Sequence, residues 1–353
     1  MKKYNPEKLT ISNNDKMMLV SNLSTLLSAG IPIFESINTL KEESKENVKY
    51  FLDEVSDDMI QGKTLSDAFR KFPNVFSNIN INILKASEHA GNLEEALNDL
   101  KISVRRDIEF RDKIKGALLY PMVLLVVFFV VVLVILFVAI PRIATVFSNL
   151  RVELPLPTRI LIFVSNALTT YTIPILAAVV LIIVALVYLY KNNKKRFLLA
   201  LSSLPILSRL FQEIDITVFS RNLALLLNSG VAITTALELT QDVVLSKNVG
   251  KAIEDARVEV HSGGRMSEGF RKNKNAFPGV MVKIVEAGEK SGRLDSAMQD
   301  VSDYMDYNVS MNLKTTTALL EPAILVIVGI FMGGVMISII APIYNLISHI
   351  QVN

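Results

Sequence analysis

Three long blocks of apolar residues stand out from an otherwise amphipathic chain. No charged residue occurs between Gly116 and Pro141, and residues 122–140 are almost entirely Val, Leu, Ile and Phe. Residues 160–190 and 322–348 form two further uncharged blocks. Because about 20 apolar residues in a helix span the hydrocarbon core of a bilayer, each block is long enough to hold one crossing. The pattern predicts three transmembrane helices, at 117–140, 173–190 and 318–345.

Two neighbouring segments are apolar but less suited to crossing a bilayer. Residues 160–171 contain Ser, Asn and Thr side chains and precede Pro174, so they form either an interfacial helix or an extension of the second span. Residues 197–211 contain Pro205 and Arg209 and leave only about a dozen uncharged positions, too few to span comfortably. We therefore expect an amphipathic connection at the membrane surface there.

Basic residues predict the orientation of these helices, because Lys and Arg concentrate in cytoplasmic segments. Such residues cluster before the first block and after the second, at 105–115 and 191–196. This bias places residues 1–116 and 191–317 in the cytoplasm. It places a loop at 141–172 and a tail at 346–353 outside. The N-terminal residues are polar and lack the apolar core of a signal peptide, so we expect the N-terminus to stay in the cytoplasm.

The two cytoplasmic segments are related by an internal repeat. Residues 26–33 match residues 226–233, and residues 88–93 match residues 289–294, at offsets of 200 and 201. The prolines on either side of the first span keep the same register, since Pro121 and Pro141 correspond to Pro322 and Pro342. The repeat unit is therefore a cytoplasmic domain followed by a membrane helix. Equivalent domains should face one compartment, which requires an even number of crossings between them.

Both domains are predicted to be helical, because strong helix formers dominate and strand-like alternation is absent. The fold class we predict is all-α, with two tandem six-helix cytoplasmic bundles and three transmembrane helices. In the first domain we expect helices near 13–28, 32–43, 45–60, 65–71, 77–89 and 93–115, the last continuing into the membrane. Thr64 and Asn92 each precede an acidic residue by three positions, which is typical of helix N-caps.

The repeated Glu-x-x-Gly-x-Leu element supplies the sharpest structural hypotheses. Gly91 and Gly292 each follow a helical run, which predicts a left-handed residue at the helix end. Glu88 and Glu289 lie on the last helical turn, where the helix dipole disfavours an acid. This cost predicts a compensating contact, with a basic side chain inside the domain or with a partner protein, and the internal contact is favoured. The remaining structural or partner-binding candidates are Gly30, Leu93, Pro121, Gly230, Leu294, Glu321, Pro322, Gly329 and Gly333.

Composition offers little support for catalysis. The chain has no Cys and only three His, far apart in sequence, which excludes disulfides and argues against a His-rich metal site. The net charge of +3, from 37 basic and 34 acidic residues, gives no argument for nucleic-acid binding. Gly62, Lys63 and Thr64 resemble part of a phosphate-binding loop, but Asp57 stands where that loop needs its first Gly. We interpret them as an interhelical turn and expect no catalytic residue, metal or cofactor.

Taken in order, these features resemble one family, the polytopic inner-membrane platform proteins of type II secretion and type IV pilus systems. The turns at Gly30 and Gly230, the paired Glu-x-x-Gly-x-Leu elements and the membrane junctions at 113–121 and 320–322 carry the resemblance, which covers about residues 12–345. It implies a non-enzymatic, multi-pass protein of the bacterial inner membrane with a periplasmic C-terminus. The short polar lead of about a dozen residues suggests a type IVb-like pilus system.

The resemblance also implies a set of partners. These are a cytoplasmic hexameric assembly ATPase, pilin or pseudopilin subunits, other inner-membrane components of the machine, further copies of the chain, and the lipid bilayer. Two other classes of protein stay open. One is a membrane scaffold or signalling protein unrelated to pili. The other, a secondary transporter, would also have internal repeats but would need more spans and polar groups near the bilayer centre, which residues 122–140 lack.

Overall fold

Helices form every regular element in the part of the chain that the structure describes, which confirms the all-α class. This computed structural model describes residues 5–150, 156–174, 205–273 and 275–350, with isolated helical positions between 177 and 189. The chain divides into two units. The first unit contains Met1–Lys113 and Leu198–Ser310, and the second contains Ile114–Phe197 and Met311–Asn353.

The helices of the first repeat begin and end within one residue of their predicted bounds, except the sixth, which continues into the apolar block. They are α1 (Asn13–Ser28), α2 (Ile33–Glu43), α3 (Glu46–Ile60), α4 (Leu65–Arg70), α5 (Asn78–Ala90) and α6 (Leu93–Val134). A π-helical turn, Ile135–Ala139, leads from α6 into α7 (Ile140–Leu150), and α8 (Leu156–Thr170) follows.

The second repeat has the same order of helices. They are α9 (Pro205–Asn228), α10 (Ile233–Gln241), α11 (Lys247–His261), α12 (Met266–Lys272), α13 (Gly279–Ser291) and α14 (Leu294–Ile350). The predicted second span at 173–190 and the N-terminal part of the predicted surface segment 197–211 lie largely outside the described residues. The domain bounds derived from the sequence therefore stay predictions.

Local capping signals explain where the helices start and stop. Ser12 and Thr64 each accept a hydrogen bond from the backbone N–H three residues later, as an N-cap should. Each repeat ends three helices with a glycine whose φ lies between 71° and 82°, the left-handed region that only glycine adopts without cost. These glycines are Gly30, Gly62 and Gly91 in the first repeat and Gly230, Gly263 and Gly292 in the second. The prediction for Gly91 and Gly292 is thus confirmed.

The first unit has one continuous hydrophobic core to which both repeats contribute. Phenylalanine rings occupy its centre in each repeat. Phe69 stacks on Phe76 with 4.6 Å between ring centroids, and Phe270 lies 4.3 Å from Phe277. Such aromatic pairs add stabilisation beyond the area they bury.

Two helical segments, Leu93–Val146 and Leu294–Ile340, are long and apolar enough to cross a membrane by length and composition. In their most apolar stretches only 11% and 17% of the residues are buried inside the protein. A helix that is apolar and yet exposed on most sides fits contact with lipid rather than with a protein core. The first segment begins with α6 and the second with α14, the last helices of the two repeats.

The second unit differs from the expectation that the first membrane helix ends at Pro141. Helix continues through α7 to Leu150, because proline is tolerated at the first turn of a helix, where its missing N–H is not needed. The π-helical turn just before it pairs the Ile140 N–H with the Ile135 carbonyl, five residues back. In that register the Leu136 carbonyl faces Pro141, which has no N–H to donate.

Hydroxyl groups of α8 satisfy the carbonyls that the prolines leave without a donor. The Ser165 hydroxyl donates to the Leu136 carbonyl at 2.6 Å, and the Thr158 hydroxyl donates to the Ser338 carbonyl at 2.7 Å. Ser338 lies four residues before Pro342, the counterpart of Pro141. Both hydroxyl-bearing residues are buried. Since an unsatisfied carbonyl in an apolar environment costs several kcal/mol, α8 is fixed against both apolar helices.

Candidate functional site

The carboxylate of Glu88, at the end of α5, caps the beginning of α4. It accepts hydrogen bonds from the backbone N–H of Leu65 at 2.6 Å and of Ser66 at 3.1 Å. The first N–H groups of a helix have no partner within the helix and form its positive end, so a carboxylate there satisfies them. The contact is internal, as the sequence analysis favoured, but the basic side chain predicted as its donor is wrong, because the donors are backbone N–H groups at a helix N-terminus.

The second repeat uses Glu289 in the same way. Its carboxylate accepts hydrogen bonds from the Ser267 N–H at 3.4 Å and the Ser267 hydroxyl at 2.5 Å, at the start of α12. Leu93 and Leu294, the last residues of the repeated element, are half-buried and pack against the core of the first unit. The element therefore ends one helix, caps a second and anchors a third in each repeat.

The Gly-Lys-Thr turn between α3 and α4 engages a buried carboxylate. Asp58, whose side chain is 3% exposed, receives the ammonium groups of Lys63 at 2.7 Å and Lys71 at 2.6 Å. Burial alone would raise the pKa of Asp58, but the hydrogen bonds from Lys63 and Lys71 outweigh it and lower that pKa below its ordinary value. The pairing thus stabilises the fold at neutral pH, and this stabilisation is lost as the pH falls through the lowered pKa. The second repeat keeps one such pair, between Glu259 and Lys272.

Arg221 of α9 is the charged centre of the contact between the two repeats. Its guanidinium lies 3.2 Å from a carboxylate oxygen of Asp107 in α6 and 3.6 Å from one of Asp306 in α14. It also stacks over the Phe110 ring, 5.2 Å from the ring centroid. Lys113 binds Asp306 at 2.6 Å. The Arg221 side chain is only 8% exposed, so its charge is buried and is balanced by these carboxylates. The cluster lies shortly before Gly116, where the charge-free block of α6 begins.

A solvent-open cleft of about 340 Å³ lies next to Arg221, between α6, α9 and α14. Its polar lining includes Asp99, Arg106, Asn228, Asp295, Gln299 and Asp300. Asp99 accepts a hydrogen bond from Asn228 at 3.2 Å, and burial raises the pKa of Asp99. Within the described residues, no three His, Asp or Glu side chains converge to hold a metal ion. The cleft is therefore described as a polar contact region between α6, α9 and α14.

The other predicted candidates are distributed over both units. Gly30 and Gly230 end α1 and α9 in the first unit. Pro121 lies inside α6, so it does not end the helix that precedes the apolar block. The candidates in the second unit's part of α14 are Glu321, Pro322, Gly329 and Gly333. A methyl group added to Gly329 or Gly333 would meet no atom within 4 Å, so both face open space in this chain.

Comparison with known proteins matches both repeats separately to one family. The profile of the type II secretion system (T2SS) protein F family matches residues 19–141 and residues 219–342. The two matched segments begin 200 residues apart and end 201 residues apart, which is the offset of the internal repeat. Each match includes a helical repeat and the apolar helix that continues from it.

Full-length relatives carry names from two related machines. The type IV pilus assembly protein PilC of Thermus thermophilus is 29% identical over 342 residues, covering 96% of this chain and 84% of the relative. Type II secretion system protein F of Pseudomonas aeruginosa is 26% identical over 339 residues, covering 95% and 84%. PilC of Myxococcus xanthus is 25% identical over 348 residues, covering 97% and 82%. This chain belongs to the type II secretion system protein F family.

Proposed function

We propose that this protein is the inner-membrane platform of a type IV pilus or type II secretion system and couples a cytoplasmic assembly ATPase to pilin or pseudopilin subunits. The observation that carries the proposal is the construction of each repeat. A charged helical bundle ends in a helix that continues without a break into an exposed apolar segment. Such a chain offers one surface to the cytoplasm and another to membrane-embedded partners. The names of its relatives identify the kind of machine.

The cytoplasmic repeats are the proposed binding surface for the ATPase. Each is envisaged as a six-helix bundle with charged outer faces, such as residues 41–46, where Lys41 forms an ion pair with Asp53. The apolar helices are proposed to contact pilin-like subunits and further copies of the chain. The proposed protein has no catalytic activity of its own.

A deletion of the gene in its native host tests the function. We expect loss of surface pili or of secreted substrate, restored by the intact chain, together with co-purification of the chain and the assembly ATPase. Lys63→Ala serves as a control for nucleotide chemistry in the chain itself. Because Lys71 still pairs with Asp58 when Lys63 is replaced, this variant should retain assembly. Loss of assembly at normal protein abundance would contradict the proposed role of the turn. Normal piliation and secretion in the deletion strain would contradict the proposed function.

The proposed topology has three spans, a cytoplasmic N-terminus and a periplasmic C-terminus. α8 would then lie near the outer end of the first and third spans, since its hydroxyls bind carbonyls four or five residues before Pro141 and Pro342. Reporter fusions after residues 60 and 250 should give cytoplasmic signals, and fusions after 155 and 353 should give periplasmic ones. A periplasmic signal at residue 250 would overturn the even number of crossings between the repeats.

A further inference from the structure

The two repeats pack against each other through unlike faces in the first unit. The first repeat contributes α5 and α6, and the second contributes α9 and α10, with α14 at the edge of the joint. Since the repeats share one fold, each carries a counterpart of the face that the other uses. The counterparts are a face of α13 and α14 in the second repeat and a face of α1 and α2 in the first.

The counterpart face on α13 is uncovered. Ile79 of α5 is 2% exposed, whereas Val280, its equivalent on α13, is 52% exposed. The next positions of the same helical stripe follow this pattern, with Asn82, Ile83 and Ala86 each more buried than Lys283, Ile284 and Ala287. On α14, the exposed Tyr304 occupies the position of the buried Ser103. We call Val280, Lys283, Ile284 and Ala287 the α13 face.

The counterpart face on α1 and α2 is uncovered as well. Met18, Asn22 and Thr25 of α1 are exposed, whereas their equivalents Val218, Asn222 and Leu225 of α9 are half-buried. Phe34 of α2 is 39% exposed, and its equivalent Thr234 is half-buried. We call Met18, Asn22, Thr25 and Phe34 the α1 face. Both faces expose large apolar side chains, Val280 on one and Met18 and Phe34 on the other. Exposed apolar patches of this kind are typical of surfaces that another chain covers.

We propose that the α13 face of one copy docks on the α1 face of a second copy and repeats, between chains, the contact that joins the two repeats within one chain. The proposed interface rests on the self-association included in the proposed function and supplies its surface. A contact between unlike faces is heterologous, so it builds a ring where the rotation closes and an open array where it does not. α6 and α14 run parallel, since residues 99 and 300 line one cleft and Lys113 binds Asp306. The same contact between copies therefore keeps their apolar helices parallel, as one membrane requires.

The buried ion pair at the centre of the joint has neutral counterparts on the two faces, which is compatible with docking of a second copy. The equivalents of Arg221 and Asp107 are Ser21 and Asn308, so both members of the buried ion pair are replaced together. Replacement of only one member would have buried an unpaired charge on docking, which is strongly unfavourable. At the edge of the joint the Lys113–Asp306 pair is replaced by Lys314 and Arg105, of which Arg105 is balanced by Glu109 of its own helix at 2.8 Å.

The absence of cysteine from the chain makes cross-linking a direct test. Two tagged copies, one with Val280→Cys and the other with Phe34→Cys, are co-expressed and treated in membranes with a short bismaleimide. We expect a cross-linked dimer containing both tags, and no dimer when either variant is present alone. Matched controls are Ile60→Cys and Val258→Cys, which are 69% and 53% exposed but lie outside both faces. Asn82→Cys with Thr234→Cys in one chain checks the reagent, because their helices, α5 and α10, are in contact.

A charge placed on the exposed α13 face gives a second test of the interface, because a substitution on the surface leaves the fold of the chain intact. Ala287→Asp, added to the Val280→Cys copy, should lower the yield of the mixed dimer about tenfold, because the new charge must be desolvated on docking. Val258→Asp, added to the same copy, should leave the yield unchanged. Dimers formed only between like faces, or no mixed dimer while the intramolecular control cross-links, would overturn the proposed interface. If pili still require the protein in that case, the proposed function stands without it. A mixed dimer in a chain that is dispensable for assembly supports the interface and contradicts the function instead.

Discussion

Gly269→Ala should destabilise the second repeat by about 3 kcal/mol or more, at the upper end of the cost of overpacking. A methyl group at this position of α12 would lie 2.3 Å from the Ala256 Cα and 2.5 Å from the Ala256 nitrogen. These are backbone atoms of α11, so they cannot move aside as a flexible side chain could. The added group must push α11 and α12 apart and open the core around Phe270. Thermal unfolding in a mild detergent would measure the loss.

Gly250→Ala is the matched control, since it makes the same chemical change in α11 itself. A methyl group at Gly250 would meet only the Val244 side chain at 3.7 Å, an ordinary contact. Because alanine favours a helix over glycine by about 1 kcal/mol, this variant should melt at or slightly above the wild-type temperature. A Gly269→Ala protein that melts like the Gly250→Ala protein would show that α11 and α12 are farther apart than the structure places them.

Glu88→Ala should lower the free energy of unfolding by about 2–4 kcal/mol, because it leaves two buried N–H groups without a partner. Each such group costs about 1–3 kcal/mol. Leu65 and Ser66, which carry those N–H groups, are each 1% exposed, so water cannot replace the carboxylate easily. Glu88→Gln retains one acceptor oxygen, so it should lower the free energy of unfolding by less than Glu88→Ala does. Gly91→Val should also destabilise the first repeat, because a β-branched residue is strained at the φ of 76° found there.

Glu43→Ala provides the comparison for Glu88, because Glu43 also lies on the last turn of its helix but is exposed. We expect its unfolding temperature to stay close to that of the wild type, as for most surface substitutions. Piliation or secretion should be measured alongside stability. A Glu88→Gln protein that is as stable as wild type but fails in assembly would assign Glu88 to a partner interface and would contradict the structural role.

The parts of the fold that depend on local signals could be predicted from the sequence. Helix bounds, the Thr64 cap and the left-handed glycines follow from residues close to one another in the chain. The partner of Glu88 could not be predicted in the same way, because the N–H groups it binds lie 22 and 23 residues away. The dipole argument identified a cost at Glu88 and led to the prediction of a basic side chain or a partner protein, and a helix end was not among the expected donors.

Contacts in the second unit had signals that the sequence analysis did not combine. The polar residues of 160–171 were taken as an argument against a span, and Pro141 was taken as a helix end. Considered together, a proline that removes a backbone donor and a hydroxyl in a nearby apolar helix predict the pairing of Ser165 with the Leu136 carbonyl. Arg221 also had a signal, since it occurs on the apolar stripe of α9 between Phe219 and Leu223, where a charge needs a partner.

The continuity of α6 and α14 has a mechanical consequence. A helix resists bending along its length, and sharp kinks occur mostly at prolines. α6 and α14 each contain a proline, Pro121 and Pro322, at equivalent positions of the repeat. In the proposed topology, a torque applied to the helical repeats would reach the bilayer through these two continuous helices rather than be dissipated in a linker. Because the prolines are equivalent, the two helices share one bending point in the register of the repeat.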